Sequence, residues 1–291
     1  MISVLLAVYN GENFIHEAIR SVIGQSYLDW ELIIVDNAST DNTFNIAREY
    51  YEVDSRIKLY KLSKKGKCNA YNFAFQKSKG QFFCFLAADD TFTAFNLEER
   101  LIAVKGDMKM FSTCLLKTFS TINKYDNLIF PKNIFKPNFS GGSIFFSREI
   151  ANKIFPIPLS LPNEDTWTSI SLKAFATNVH VPKVLYNYRI HDNNSYGYNN
   201  EFESKRTMYL NRMNAFILFR ERWQKLDNFQ FSQYIDSFIE GLNYCKEKKW
   251  IKILMVKNLP IKDKIIFVYF SSKLLFRIRN KYFKFFTGLF N

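Results

Sequence analysis

Phe85-Leu86-Ala87-Ala88-Asp89-Asp90 decides the fold, because an apolar run ends there in two adjacent carboxylates. A buried strand that emerges at a sheet edge reads this way. Two unpaired charges side by side are costly to bury, so the pattern predicts a cationic neighbour. A divalent ion that bridges carboxylates and a diphosphate meets that need, since hard cations prefer oxygen donors.

Working outward, three further runs rich in β-branched or aromatic residues precede this one: Ile2 to Tyr9, Trp30 to Val35 and Ile57 to Leu62, with Phe82 to Leu86 as the fourth. They predict strands. Phe14, Ala18 and Val22 with Ile15, Ile19 and Ile23 recur at helical spacing between the first two, and Phe44, Ala47 and Tyr51 do so after an N-cap region at Thr40-Asp41. Cys68 to Lys77 is a third, shorter helix candidate, closed by Gly80. This βαβαβαβ order predicts a mainly parallel sheet with right-handed crossovers. Ligands of such sheets bind beyond the carboxyl ends of the strands. The residues expected there are Tyr9-Asn10, Asp36 and Asp89-Asp90.

After about residue 100 the alternation is lost. Residues 101–200 read as polar and loop-rich, with Gly141-Gly142 ahead of Ile144-Phe145-Phe146 and with Pro156, Pro158 and Pro162 as helix breakers. Helical spacing returns from Glu201.

Composition narrows the classes. Of 291 residues 47% are hydrophobic, which excludes wholesale disorder and allows a large core. Cys68, Cys84, Cys114 and Cys245 lack metal-ligand spacing and are expected as reduced cytoplasmic thiols. Met1 leads straight into a strand-like run and no stretch reaches the roughly 18 apolar residues of a membrane span, so the expectation is a chain neither exported nor spanning. The net charge of +13 is concentrated in residues 201–291, with 18 Lys/Arg against 8 Asp/Glu. Within Ile265 to Phe290, apolar runs such as Ile265-Ile266-Phe267-Val268-Tyr269-Phe270 alternate with Lys273, Arg277, Arg279, Lys281 and Lys284. This pattern suits a helix at an anionic membrane surface; a core helix with a solvated basic face is the alternative, and nucleic acid, suggested by charge alone, is not expected.

Five motifs in order resemble family 2 glycosyltransferases of the GT-A fold, bacterial surface-glycan type: Val8-Tyr9-Asn10-Gly11-Glu12, Ile34-Val35-Asp36-Asn37-Ala38-Ser39-Thr40-Asp41, Asp89-Asp90, Asn163-Glu164-Asp165 and Tyr188-Arg189-Ile190-His191-Asp192-Asn193-Asn194-Ser195. The resemblance covers roughly residues 1–200. It implies an α/β, Rossmann-like sheet flanked by helices. Residues 1–100 would form the nucleotide-sugar-binding half and 101–200 the acceptor-binding half of one domain, with 201–291 as a basic aromatic helical extension.

The resemblance also implies roles. Asp36 would hydrogen-bond the uracil of a UDP-sugar in a cleft lined by Ala7, Val8 and Tyr9, where the family commonly has proline at the position of Ala7. Glu12 would orient that loop or favour a helix start. Lys67, with Lys65, would offer positive charge to the nucleotide or simply be solvated. The commoner Asp-x-Asp-Asp motif has aspartate where Ala87 stands; here Asp89 would contact ribose or metal, Asp90 would coordinate Mn²⁺ or Mg²⁺, and His191 would be a third protein ligand. Arg189 and Ser195 would contact the diphosphate.

Asp165 matches the family's general base, needed because a sugar hydroxyl is a poor nucleophile while it keeps its proton. Glu164 would position the acceptor. Capping of the helix and stabilisation of its dipole is the plain structural reading of this pair, and it is compatible with catalysis. Ser140-Gly141-Gly142 would let backbone approach a bulky sugar. The expected enzyme is an inverting transferase that acts on a glycan or lipid-linked acceptor, cytoplasmic and peripheral at the inner face of the membrane. A non-catalytic nucleotide-sugar-binding or scaffold protein is the rival reading, and a nucleotidyltransferase is disfavoured because Tyr9-Asn10-Gly11-Glu12 is no Gly-rich phosphate loop.

Overall fold

The computed structural model describes residues 1–120, 125–191 and 201–278. The chain divides into two compact units, Met1–His191 and Asp192–Asn291.

In the first unit, β1 (Ile2–Val8), α1 (Ile15–Ile23), β2 (Trp30–Asp36), α2 (Thr43–Val53), β3 (Ile57–Lys61), α3 (Lys67–Lys77) and β4 (Phe82–Ala87) follow one another as the hydrophobic periodicity predicts. Then come β5 (Thr91–Phe92), α4 (Asn96–Val104), β6 (Met110–Ser120), β7 (Ile129–Phe130), a 3₁₀ turn at Gly141–Ser143, β8 (Ile144–Ser147), α5 (Arg148–Ile154), α6 (Asp165–Phe175) and β9 (Thr177–Ile190). The sheet order is β3-β2-β1-β4-β8-β6-β9-β5, with β7 paired to β6.

β1 to β4 are mutually parallel, and Val8↔Asp36 and Ala7↔Ala87 are in register across β1. The ends of β2 and β4 therefore open on the same rim. All seven residues of β2 are buried, as are Ile15, Ala18, Ile19 and Val22 of α1 against the sheet. This is the arrangement of a parallel sheet covered by crossover helices.

The second half of the sheet is mixed, because β8 runs antiparallel to both β4 and β6. The stretch that reads as loop-rich holds the two longest strands, β6 and β9, paired in parallel. Their ladder skips from Cys114↔Val181 to Leu115↔Val184, so Pro182, which has no amide hydrogen to donate, falls in the irregularity. All four cysteines are buried thiols.

The second unit contains α7 (Phe202–Arg222), α8 (Phe229–Lys246), α9 (Trp250–Met255) and α10 (Ile261–Ser271). Stacked rings hold it: Phe216 on Phe238 at 3.6 Å between centroids and Tyr209 on Phe270 at 4.2 Å. Arg206 donates to the carbonyls of Cys245 and Lys246 (both 3.0 Å), satisfying the end of α8. Phe267, Tyr269 and Phe276, in the segment expected at a membrane surface, are buried inside this unit; Lys281 and Lys284 lie outside the described residues. No described helix is long and apolar enough to cross a membrane.

One close approach sets the start of β4. Buried Glu31 accepts from Ser3 Oγ (2.6 Å) and from the amides of Lys79 and Gly80, and Ser3 Oγ accepts from Gly80 N at 2.9 Å. A Cβ on Gly80 would lie 2.6 Å from Ser3 N. Gly80→Ala is expected to cost about 1–3 kcal/mol by forcing backbone apart; a lower urea midpoint at unchanged m-value checks it.

Candidate active site

The rim beyond β1 and β2 is a pair of interlocked turns. Asn10 and Ala38 both adopt left-handed backbone (φ 50° and 64°). Asn37 N donates to Val8 O (2.7 Å), Thr40 N to Asn10 Oδ1 (2.9 Å) and Asn42 N to Glu12 Oε2 (2.9 Å). Glu12 thus ties the first rim loop to the second. Asp41, one residue before the Asn42 N-cap of α2, accepts from Thr43 N at 3.1 Å and from Glu12 N at 3.2 Å.

Asp36 is wholly buried, its Oδ1 accepting from Ser39 N at 3.0 Å while its Oδ2 has no hydrogen-bond partner. A buried acceptor left unpaired is worth about 1–3 kcal/mol to any donor that reaches it. Val8 is buried, Ala7 half-buried and Tyr9 exposed, with the Lys65 ammonium 3.5 Å above the Tyr9 ring. Lys65 is therefore placed on an aromatic face beside the rim.

Asp90 is buried and doubly bonded: Tyr186 Oη donates to Oδ2 at 2.6 Å and Arg189 N to Oδ1 at 2.8 Å. Burial, and then the neighbouring Asp89 charge, push its carboxyl well above the usual range. Asp89, partly exposed, lies with Oδ2 3.2 Å from His191 Nε2. The His191 ring rests against Phe14 at 4.7 Å. Among the described residues no three His, Cys, Asp or Glu side chains form a metal-binding group. Of the three ligands expected from sequence, Asp89 and His191 stand together as an oxygen and nitrogen donor pair, whereas both oxygens of Asp90 already accept protein hydrogen bonds.

Arg189 is also committed. Its Nε donates to Asp89 O (2.8 Å), its Nη2 to Glu17 (2.7 Å), and the guanidinium lies 4.2 Å from the Phe119 ring centre. These contacts form a clamp between β9, α1 and the Asp89 turn, at the residue expected to contact the diphosphate. Ser195 lies outside the described residues.

Across the rim, Trp167 Nε1 donates to Ile154 O at 2.7 Å and anchors α6 to α5, which fixes the position of the first helical residue, Asp165. Glu164 just before it is buried and ion-paired with Lys67 at 3.1 Å. Burial raises the Glu164 carboxyl; burial opposes charge on Lys67, but Glu164, Tyr71 and Asp165 outweigh it and raise the ammonium. Lys67, expected to face the nucleotide, is engaged at the other carboxylate cluster.

Two glycines join the clusters. A Cβ on Gly141 would lie 2.8 Å from Asp165 Oδ1, and one on Gly142 would strike the Tyr186 ring, 2.6 Å from its hydroxyl. They make room for the protein's own Asp165 and Tyr186 rather than for an acceptor alone. Tyr188 feels both groups: burial, then Asp90, Asp89 and Asp165, push its phenol up to about 12. Sequence reasoning missed Tyr186. Its signal is the alternation Tyr186-x-Tyr188 before Arg189, but only the β5–β9 and β6–β9 pairing turns it toward Asp90.

The description "Glycosyl transferase family 2" matches residues 3–155. The chain belongs to that family. Bacillus subtilis TuaG, named for a candidate role as a teichuronic acid biosynthesis glycosyltransferase, is 28% identical over 73% of this chain and 87% of its own length. Escherichia coli WfgD, a UDP-Glc:alpha-D-GlcNAc-diphosphoundecaprenol beta-1,3-glucosyltransferase, is 38% identical over 35% of this chain and 40% of its own length. Among solved structures, S. aureus TarS 1-349 in complex with UDP-GlcNAc superposes with TM-score 0.66 at 16% identity, covering 99% of this chain and 92% of that one. The mannosyltransferase PcManGT from Pyrobaculum calidifontis, in complex with GDP-Man and Mn²⁺, gives 0.63 at 15% identity, covering 99% and 81%. These likenesses establish the GT-A fold, and the family makes this chain a glycosyltransferase.

The Lys67–Glu164 pair yields a test. Lys67 keeps 41% of its side chain open to solvent while Glu164 keeps 4%, so the pair falls between the exposed and buried limits. Lys67→Met is expected to cost about 1–3 kcal/mol by leaving a buried carboxylate unpaired. Adding Glu164→Gln should recover most of that loss in urea unfolding, because the uncompensated charge is then gone.

Proposed function

We propose that this glycosyltransferase moves a sugar from a UDP-sugar to a hydroxyl of a glycan or lipid-linked acceptor, with inversion, in the synthesis of a bacterial surface polysaccharide, lipooligosaccharide or related glycoconjugate. The observation that carries the reading is the buried, unpartnered Oδ2 of Asp36 at the end of β2. It suits the imide N–H of a uracil, whose ring would lie by Tyr9 and against Val8. The UDP-GlcNAc in TarS and the UDP-Glc in the name of WfgD support a uridine donor. TuaG and WfgD, by name, support a surface-glycan pathway and, for WfgD, a lipid-diphosphate acceptor.

Asp165 is assigned as general base. It begins α6, is partly exposed, and lies close to the Gly141 backbone, where a Cβ would come within 2.8 Å of its Oδ1. Removing the hydroxyl proton as the new bond forms makes the acceptor oxygen nucleophilic, and attack from the face opposite the diphosphate inverts the anomeric carbon in one displacement. Such a base contributes about 10²–10⁴ in rate, with positioning and electrostatics supplying the rest. Glu164, held by Lys67, fixes the helix start from which Asp165 projects.

Asp89 and His191 fit a divalent ion of the Mn²⁺ type, and Asp90, held by Tyr186 and Arg189, keeps the Asp89 turn in place behind them. When bound, the ion would neutralise charge on the departing diphosphate. The basic second unit is assigned to an anionic membrane surface near the acceptor.

Nucleoside diphosphate release is to be measured over a panel of nucleotide-sugars with Mn²⁺, with and without acceptor. Turnover with a UDP-sugar is expected, and EDTA is expected to suppress it. Asp165→Asn should lower kcat by about 10²–10⁴ while calorimetric donor affinity is retained; full turnover in that variant rejects the base assignment. Asp36→Ala should weaken UDP binding by about tenfold, the worth of one buried hydrogen bond.

A further inference from the structure

Helix α9 carries its apolar side chains outward. Trp250 (45% exposed), Ile251, Leu254 and Met255 (72%) stand in solvent, at spacings i, i+1, i+4 and i+5 that place them on one side of two helical turns. Of its six residues only Ile253 is buried. A helix that packed merely as a core element would show the opposite arrangement.

The exposure is built into the packing of the unit. Val256 and Leu259, just after α9, are buried, and Leu259 approaches α8 at Gly241, where a Cβ would come within 2.8 Å of both Leu259 and Phe267. Only a glycine lets the chain seat there. With Ile253, Val256 and Leu259 facing inward, the remaining apolar residues of α9 are turned out. Lys264 at the start of α10 donates to Leu254 O at 2.8 Å, which brings the exposed Ile261 (75%) and Ile265 beside the end of α9.

The charges around this step are mainly basic. Lys248, Lys249, Lys252, Lys257 and Lys262 are exposed along residues 248–262. The acidic residues of the same stretch and its flanks are Glu247, paired with Lys249, and Asp263, which accepts from Tyr234 Oη. A tryptophan with large aliphatic neighbours, ringed by lysines, matches a bilayer interface in which apolar groups enter below the headgroups and ammonium groups meet lipid phosphates. A protein partner would have to supply an apolar groove with an acidic rim; an anionic bilayer supplies both without shape matching.

We propose that α9, with the first turn of α10, is the surface by which this chain docks on an anionic lipid bilayer. This deepens the reading of a membrane-anchored acceptor, and it relocates the contact from the buried rings of α10 to residues 250–265. A contact made through exposed lysines at a charged surface is sensitive to salt.

Vesicle binding of the full chain is to be measured by co-sedimentation without donor or acceptor, which separates this inference from the transferase reading. Vesicles of equal parts phosphatidylglycerol and phosphatidylcholine should bind at least about tenfold more tightly than phosphatidylcholine alone. Trp250→Ser with Leu254→Ser should weaken binding by about tenfold or more, and Lys252→Glu with Lys257→Glu should remove the preference for anionic lipid. Both variants should keep the parent circular dichroism and the turnover on a soluble acceptor. Trp250→Phe should bind vesicles yet lose the blue shift of tryptophan emission that the parent shows on binding. Equal binding to neutral vesicles, or unchanged binding by the Trp250/Leu254 variant, overturns the proposal. So does a dimer in light scattering that this variant dissociates while vesicles are ignored, since the face would then meet a second copy.

Discussion

The buried carboxylate of Asp90 holds the rim of the sheet together. Tyr186 and the amide of Arg189 both come from β9, while Asp90 follows β4, so two hydrogen bonds join chain segments almost a hundred residues apart. A buried hydrogen bond contributes roughly 0.5–1.5 kcal/mol, and removing one would leave an acceptor buried and unpaired at a further cost of about 1–3 kcal/mol. Once Asp90 is held, the Asp89 turn, the Arg189 clamp and the approach of His191 follow from the same short stretch of chain. The site is arranged from behind by groups that need not touch a substrate.

That arrangement separates two carboxylate environments that are alike in composition. On one side Asp89 remains partly exposed beside an imidazole, suited to an ion and a diphosphate. On the other, Glu164 is ion-paired with Lys67, and Asp165 begins α6 beside it. Gly141 and Gly142 lie between, each too crowded for a side chain. On the proposed reading, leaving-group chemistry and proton removal fall to these two separate carboxylate clusters.

The second unit follows a different economy of surface. Its rings stack inward around α8 and α10, and its charge is basic and faces water. Of its exposed apolar residues, Trp250, Ile251, Leu254 and Met255 gather on one short helix with Ile261 and Ile265 beside them, while Phe229, Leu274 and Ile278 stand elsewhere. Scattered exposed apolar side chains need no explanation, but a contiguous, lysine-bordered group does.

The first four strands, the three helices between them and the rim residues Asp36, Asp89 and Asp90 were legible from sequence, because strand and helix periodicities are local and because parallel crossovers bring strand ends to one edge. Family motifs added Asp165 and His191. What could not be read were β6 and β9, since their pairing joins residues about 70 positions apart, and with them the role of Tyr186. Nor could sequence tell that Lys67 and Arg189 are engaged by Glu164 and Glu17, or that Phe267 turns inward while Met255 turns out. Local patterns record which residues are apolar or charged; which partner neutralises a charge, and which side of a helix meets solvent, depends on contacts between distant segments, and those exist only after the chain has folded.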